Sequence, residues 1–168
     1  MTSIPVISFV GKSESGKTTL LEKVIRELKL KGIKLAIIKH DAHRFEIDHP
    51  GKDTWRHGQA GADIVAISSP EKMAIIEKRE QELTLDEVIE RISPVDIIIT
   101  EGYSQGKKPK IEVFRSEAHQ KLLCPTGELL AIASDIPWEI GVPCYQIDDA
   151  VGVASEIEKY IRTFRNKK

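Results

Sequence analysis

Short aliphatic and β-branched runs alternate along this chain with segments whose apolar residues recur at helical spacing. Residues 5–10 (PVISFV), 34–40 (KLAIIKH), 95–100 (VDIIIT), 128–134 (ELLAIAS) and 142–147 (VPCYQI) read as strands. Several are apolar at nearly every position, the mark of strands covered on both faces. Helices are predicted at 18–32, where Leu and Ile repeat until Gly32, at 84–92, where Thr84 and Glu87 form a capping box, and at 148–164. This alternation predicts an α/β domain on a mainly parallel sheet. Two segments depart from it. Residues 62–69 and 72–79, divided by Pro70 and Glu71, read as a hairpin appended to the sheet, and 108–116, where Ile111 and Val113 alternate with charged neighbours, as another edge strand. A projecting strand pair suits either a dimer contact or a sheet extension within one chain.

The totals narrow the class. At 168 residues the whole chain, 1–168, is expected to form a single domain. Lys and Arg number 25 against 26 Asp and Glu, so no global charge calls for nucleic acid or an anionic membrane. The basic tail RTFRNKK reads as the solvated end of the last helix. Cys124 and Cys144 form no CxxC pattern, which fits a reduced, cytoplasmic protein. The first residues carry no basic n-region, and no apolar run reaches the length of a membrane span.

The strongest chemical signal is GKSESGKTT, residues 11–19, which fits G-x-x-x-x-G-K-[ST] through Gly11, Gly16, Lys17 and Thr18. It follows an apolar strand and opens an amphipathic helix, the context a phosphate-binding loop requires, so the expected fold is a three-layer P-loop NTPase-like domain. Backbone N–H groups of such a loop point at phosphate oxygens, Lys17 reaches the β- and γ-phosphates, and the Thr18 hydroxyl takes a place on Mg²⁺. The site also needs a carboxylate at a neighbouring strand's end. VDIIITEGY offers Asp96 and Glu101; in a parallel sheet ligands lie at the carboxyl ends, which selects Glu101. Gly102 after it suits either close backbone approach to the ligand or an ordinary turn.

The guanine-reading NKxD motif is absent, since Asn166 is the sole asparagine. Asp135, past the strand 128–134, has two readings: a carboxylate accepting the N1–H and exocyclic amine of guanine, or an N-cap with Ser134 for a helix before Pro137. Four of the five histidines, His40, His43, His49 and His57, cluster after the second strand, at the ligand edge. Their spacing matches no zinc pattern and no cysteine is near, leaving a ligand-facing loop, solvated surface or a metal site in that order of preference. Within the cluster the PGKD turn offers Lys52 and Asp53 to an anionic ligand or to a loop that reorders around a γ-phosphate.

GKSESGKTT, KHDAHRFEIDHPGKD, AGAD at 60–63, TEGY at 100–103 and ASD at 133–135 occur in the order in which the molybdopterin-guanine dinucleotide biosynthesis protein B family, MobB, carries them. The resemblance spans almost the whole chain. It implies a GTP-binding, weakly GTP-hydrolysing adapter of molybdenum cofactor biosynthesis, usually a homodimer, working beside the guanylyltransferase that attaches GMP to molybdopterin and with other enzymes of that cofactor. By the same resemblance Gly11, Lys12, Ser13, Glu14, Ser15, Gly16, Lys17, Thr18 and Thr19 bind phosphate. His40, His43, Asp48, Pro50, Gly51, Lys52 and Asp53 match the family's histidine motif, with Asp48 ordering Mg²⁺ or the attacking water, and Glu101 with Gly102 its second acidic motif. Ala42 stands where many members have a second histidine, which counts against metal chelation. Two alternatives remain: a P-loop small-molecule kinase, for which the single Arg115 of segment 104–121 makes a sparse lid, and a metallochaperone GTPase of the nickel-enzyme maturation type. No arginine lies in the P-loop, and Arg44 and Arg56 are the nearest by motif to serve as a cationic finger.

Overall fold

The computed structural model describes residues 4–41, 45–118 and 120–167. Contacts divide the chain into two compact units, one made of the segments up to His40 and from Ile89 onward, the other of Asp41–Val88.

The first unit is built on six parallel strands: β1 (Val6–Val10), β2 (Leu35–Lys39), β5 (Ile97–Glu101), β6 (Lys110–Phe114), β7 (Leu129–Ser134) and β8 (Cys144–Gln146), in the order β2-β5-β1-β6-β7-β8. Alternate residues of the inner strands point to opposite faces. Ile7, Phe9, Ile97, Ile99, Ile111, Val113, Ala131 and Ala133 form one core with Leu20, Leu21, Val24 and Leu28 of α1 (Lys17–Leu30) and with Val153, Ala154, Ile157 and Ile161 of α4 (Ala150–Asn166). On the opposite pleat, Thr100 and Ser8 join hydroxyls at 2.8 Å and Phe114 meets Trp138 edge to face. These elements agree with the sequence reading except at segment 108–116. It was expected at an edge, yet β6 lies between β1 and β7 and is buried throughout. Its charges are satisfied inside: Lys110 donates to the Gly106 carbonyl and Glu128, and the Glu112 carboxylate accepts the N–H groups of Leu123 and Cys124.

Within the second unit, β3 (Ile64–Ser68) and β4 (Met73–Glu77) pair antiparallel. The hairpin is therefore present, but as a two-stranded sheet of its own rather than an appendage of the parallel sheet. A seven-residue helix, α2 (Asp53–Gln59), packs on it, with Lys78 donating to the Gly58 carbonyl at 2.8 Å. Ile64, Met73 and Ile75 share the hairpin's other face and are exposed. The expected capping box is formed: Thr84 N–H and hydroxyl both donate to Glu87, and helix α3 (Leu85–Ile89) follows, shorter than predicted.

Candidate functional site

Parallel strands deliver the ends of β1, β5, β6 and β7 to one edge of the first unit's sheet. The loop 11–16 leaves β1 there and turns directly into α1. Its shape depends on missing side chains. A Cβ on Gly11 would lie 2.5 Å from the Val113 carbonyl oxygen and 2.8 Å from Ser15 Oγ, and Gly16, at φ +90°, sets the left-handed bend that starts the helix. Glu14 also adopts a left-handed conformation, φ +64°, uncommon for a side chain of its kind. α1 has no side-chain cap and no acidic residue in its first turn, so its N-terminal dipole is left uncompensated by its own sequence.

Two features of this loop suit it to a polar ligand. Ser15 is fully buried, and among the described residues its Oγ is the one buried side-chain oxygen or nitrogen without a hydrogen-bond partner. A hydroxyl left this way costs about 1–3 kcal/mol, which a bound polar ligand recovers. Lys17 folds back over the loop, its Nζ donating to the carbonyls of Gly11 at 2.8 Å and Lys12 at 2.6 Å. Burial pushes the Lys17 ammonium below the ordinary lysine range; Glu101 opposes that shift and Lys39 adds to it. An ammonium held at such a cost is better satisfied by phosphate oxygens than by neutral carbonyls.

On one flank of the cradle the Thr18 hydroxyl donates to Glu101 Oε1 at 2.9 Å. Glu101 is the last residue of β5 and is 8% exposed. Strand direction thus separates the two carboxylates as expected: Asp96, at the opposite end, accepts the Lys34 N–H and pairs with Arg165. Gly102 has φ +94°, and a Cβ there would come within 2.6 Å of the His40 carbonyl oxygen. The close approach that it permits is to the end of β2, tied by the His40 N–H to the Glu101 carbonyl at 2.8 Å. The His40 ring lies 4.9 Å from that of Tyr103.

On the far flank, sequence reasoning missed one residue. Arg115, half-buried past the end of β6, brings its Nη2 to 3.5 Å from where a Gly16 Cβ would be. Next along the sheet, Asp135 follows β7, and its carboxylate accepts the Ser116 N–H at 2.8 Å and the Ser116 hydroxyl at 2.7 Å. Burial pushes the Asp135 carboxyl up, but these bonds and the Arg115 charge outweigh it and leave it below its ordinary value. No helix begins after Ser134, so the N-cap reading of Asp135 fails; the Ser134 hydroxyl accepts from the Ile136 N–H and the Trp138 indole instead.

Of the histidine-loop residues, His43 and Arg44 lie outside the described residues. Asp48, Lys52 and Asp53 belong to the second unit, where they line one cleft with Thr54 and Lys72 over a floor that includes Ile47 and Ile67. The Asp48 carboxylate there accepts the His49 N–H at 2.8 Å, and Asp53 lies 3.8 Å from Arg56. Among the described residues no group of three or more His, Cys, Asp or Glu could hold a metal ion.

Comparison with known proteins follows the same outline. The family model for molybdopterin guanine dinucleotide synthesis protein B matches residues 6–135. The chain is 34% identical over 163 residues to the molybdopterin-guanine dinucleotide biosynthesis adapter protein of Haemophilus influenzae, covering 96% of this chain and 92% of that one. It is also 34% identical over 167 residues to the adapter protein of the same name from Escherichia coli, covering 96% and 95%. A crystal structure of molybdopterin-guanine biosynthesis protein B superposes with a TM-score of 0.70 at 29% identity, over 94% of this chain and 99% of that one.

Proposed function

Since the chain belongs to the MobB family, we propose that it is the GTP-binding, weakly GTP-hydrolysing adapter of molybdopterin-guanine dinucleotide biosynthesis, working beside the guanylyltransferase that attaches GMP to molybdopterin and with other molybdenum-cofactor enzymes. Family membership favours this reading over a small-molecule kinase or a nickel metallochaperone. The observation that carries it is the Thr18–Glu101 hydrogen bond, which joins the first residue after the loop's lysine to the carboxylate ending the adjacent strand. That pair is where a P-loop protein holds Mg²⁺ against its nucleotide.

In this reading residues Gly11 to Thr19 cradle the phosphates, Lys17 exchanges the Gly11 and Lys12 carbonyls for β- and γ-phosphate oxygens, and Thr18 and Glu101 would hold Mg²⁺. Mg²⁺ supplies charge neutralisation across the phosphates. The family resemblance alone supplies the roles of Asp48 toward the ion's water shell or the attacking water and of His40, His43, Lys52 and Asp53 toward the terminal phosphate; within the first unit, Gly102 keeps the acidic strand end close to β2. Asp135 reads guanine, whose N1–H and amine replace the two donors that Ser116 now supplies. No arginine lies in the P-loop, so hydrolysis is slow unless a partner or a second copy brings a cationic finger to the γ-phosphate. The protein acts in the cytoplasm as a homodimer, and the exposed apolar face of the β3–β4 hairpin, with Ile64, Met73 and Ile75, suits the contact between copies.

The test is competition of GTP and ATP for labelled GTP in the presence of Mg²⁺, on the wild type and on Asp135→Ala. The expected outcome is a preference for GTP of about tenfold or more that the variant loses while retaining phosphate-dependent binding. Equal affinity for ATP would refute guanine readout at Asp135. Absence of any nucleotide-dependent association with the guanylyltransferase would refute the adapter role.

A further inference from the structure

We propose that Arg115 is a nucleotide-binding residue which grips the phosphates on the nucleoside side of bound GTP. The inference rests on the nucleotide reading above and adds a residue that belongs to none of the motifs carrying it.

Position along the sheet edge is the first argument. The strand order β5-β1-β6-β7 places Glu101, the P-loop, Arg115 and Asp135 side by side in that sequence. The Thr18–Glu101 bond marks one flank as the metal side, and Mg²⁺ in P-loop proteins bridges the β- and γ-phosphates. The terminal phosphate therefore belongs toward β5, and the rest of the nucleotide must leave toward β6 and β7. Arg115 stands on that exit, one strand short of the carboxylate assigned to the base.

Reach is the second. Val10, the last residue of β1, is in register with Glu112, so Arg115 extends three residues past it, about 10 Å at strand spacing, to the height of the loop. β6 and the residue after it reach the loop at both ends: the Val113 carbonyl limits Gly11, and the Arg115 guanidinium comes within contact distance of Gly16 at the start of α1. Its charge also acts on Asp135, and β6 lies between β1, which leads into the loop, and β7, which leads to Asp135. A planar guanidinium with five donors matches two phosphate oxygens at once, a fit that a lysine ammonium lacks.

The test compares wild type, Arg115→Ala and Arg115→Lys for affinity toward GTP and GDP with Mg²⁺, after thermal melts of all three. The expected result is a loss of roughly tenfold to a hundredfold in Arg115→Ala, equal for GTP and GDP, with Arg115→Lys recovering only part of it. If Arg115→Ala melts below the assay temperature, Arg115→Lys alone carries the comparison and should show the smaller, equal losses. Unchanged affinity for both nucleotides would overturn the proposal and leave Arg115 a structural neighbour of Asp135. A loss confined to GTP would overturn it as well, by moving the guanidinium to the γ-phosphate. Failure of the wild type to bind either nucleotide would instead strike the nucleotide reading itself.

Discussion

Replacing Gly102 with alanine tests the junction that holds the acidic strand end in place. Two costs combine there. The backbone sits at φ +94°, which an alanine tolerates at a cost of about 1–2 kcal/mol. The new methyl would also come within 2.6 Å of the His40 carbonyl oxygen, and that oxygen is backbone at the end of β2, fixed by the His40 N–H bond to Glu101. Relieving such an overlap costs about 1–3 kcal/mol more. Gly32→Ala is the matched control: φ is +75°, nothing lies within 4 Å of the added Cβ, and the position belongs to the same unit. The gain from stiffening the unfolded chain is common to both substitutions and cancels in their difference. Urea denaturation followed by circular dichroism should therefore show Gly102→Ala less stable than Gly32→Ala by about 1–3 kcal/mol. Mg²⁺-dependent nucleotide affinity should fall in Gly102→Ala, because movement of the strand end displaces Glu101 from Thr18. Equal stability of the two variants would refute the steric argument, and a destabilised Gly102→Ala with undiminished Mg²⁺ dependence would refute its link to the site.

Thr18→Val keeps the shape of the side chain and removes the hydroxyl that meets Glu101, so the gain in nucleotide affinity on adding Mg²⁺ should drop by about tenfold or more, read by titration with and without EDTA. Cys124 is buried, and that burial, reinforced by Glu112, pushes its thiol up from 9.0 to about 11, whereas Cys144 is exposed. Iodoacetamide at pH 8 should modify Cys144 first, with mass spectrometry locating the adduct. The native state holds the Cys124 proton more tightly than the unfolded chain, so its contribution to stability is complete below pH 9 and lost between pH 9 and about 11; Cys124→Ala should flatten the fall in melting temperature across that window.

The sequence revealed those features whose chemistry is local. Gly11, Gly16, Lys17 and Thr18 announce a cradle because the loop's function resides in consecutive residues, and Glu101 could be separated from Asp96 by strand direction alone. The second unit's helix α2 escaped notice because DTWRHGQ is short and buries no residue fully, so it has no apolar period to detect. β6 misled for a sharper reason. Lys110 and Glu112 alternate with Ile111 and Val113 as they would on a half-solvated edge, but both charges are buried and find partners far along the chain, at Glu128 and at the Leu123 and Cys124 N–H groups. Once β6 was placed at the edge, Arg115 could not be seen as a neighbour of the P-loop. Asp135 shows the same limit: its partner, Ser116, is nineteen residues away on the adjacent strand's exit, beyond any local pattern.

The charges of β6 also bear on the chain before it is folded. Long aliphatic strands such as IIIT at 97–100 are natural seeds for unwanted pairing between molecules, and a sheet interior usually consists of several of them. Here an interior strand next to the P-loop is written KPKIEVFR, with charge at every other position through its middle. Paired with a like copy, Lys110 and Glu112 would be left without Glu128 and the 123–124 amides that neutralise them in the native fold. The native sheet supplies both partners, so a segment that must end in the core carries charges of the kind that guard exposed strands against pairing with like copies until it gets there.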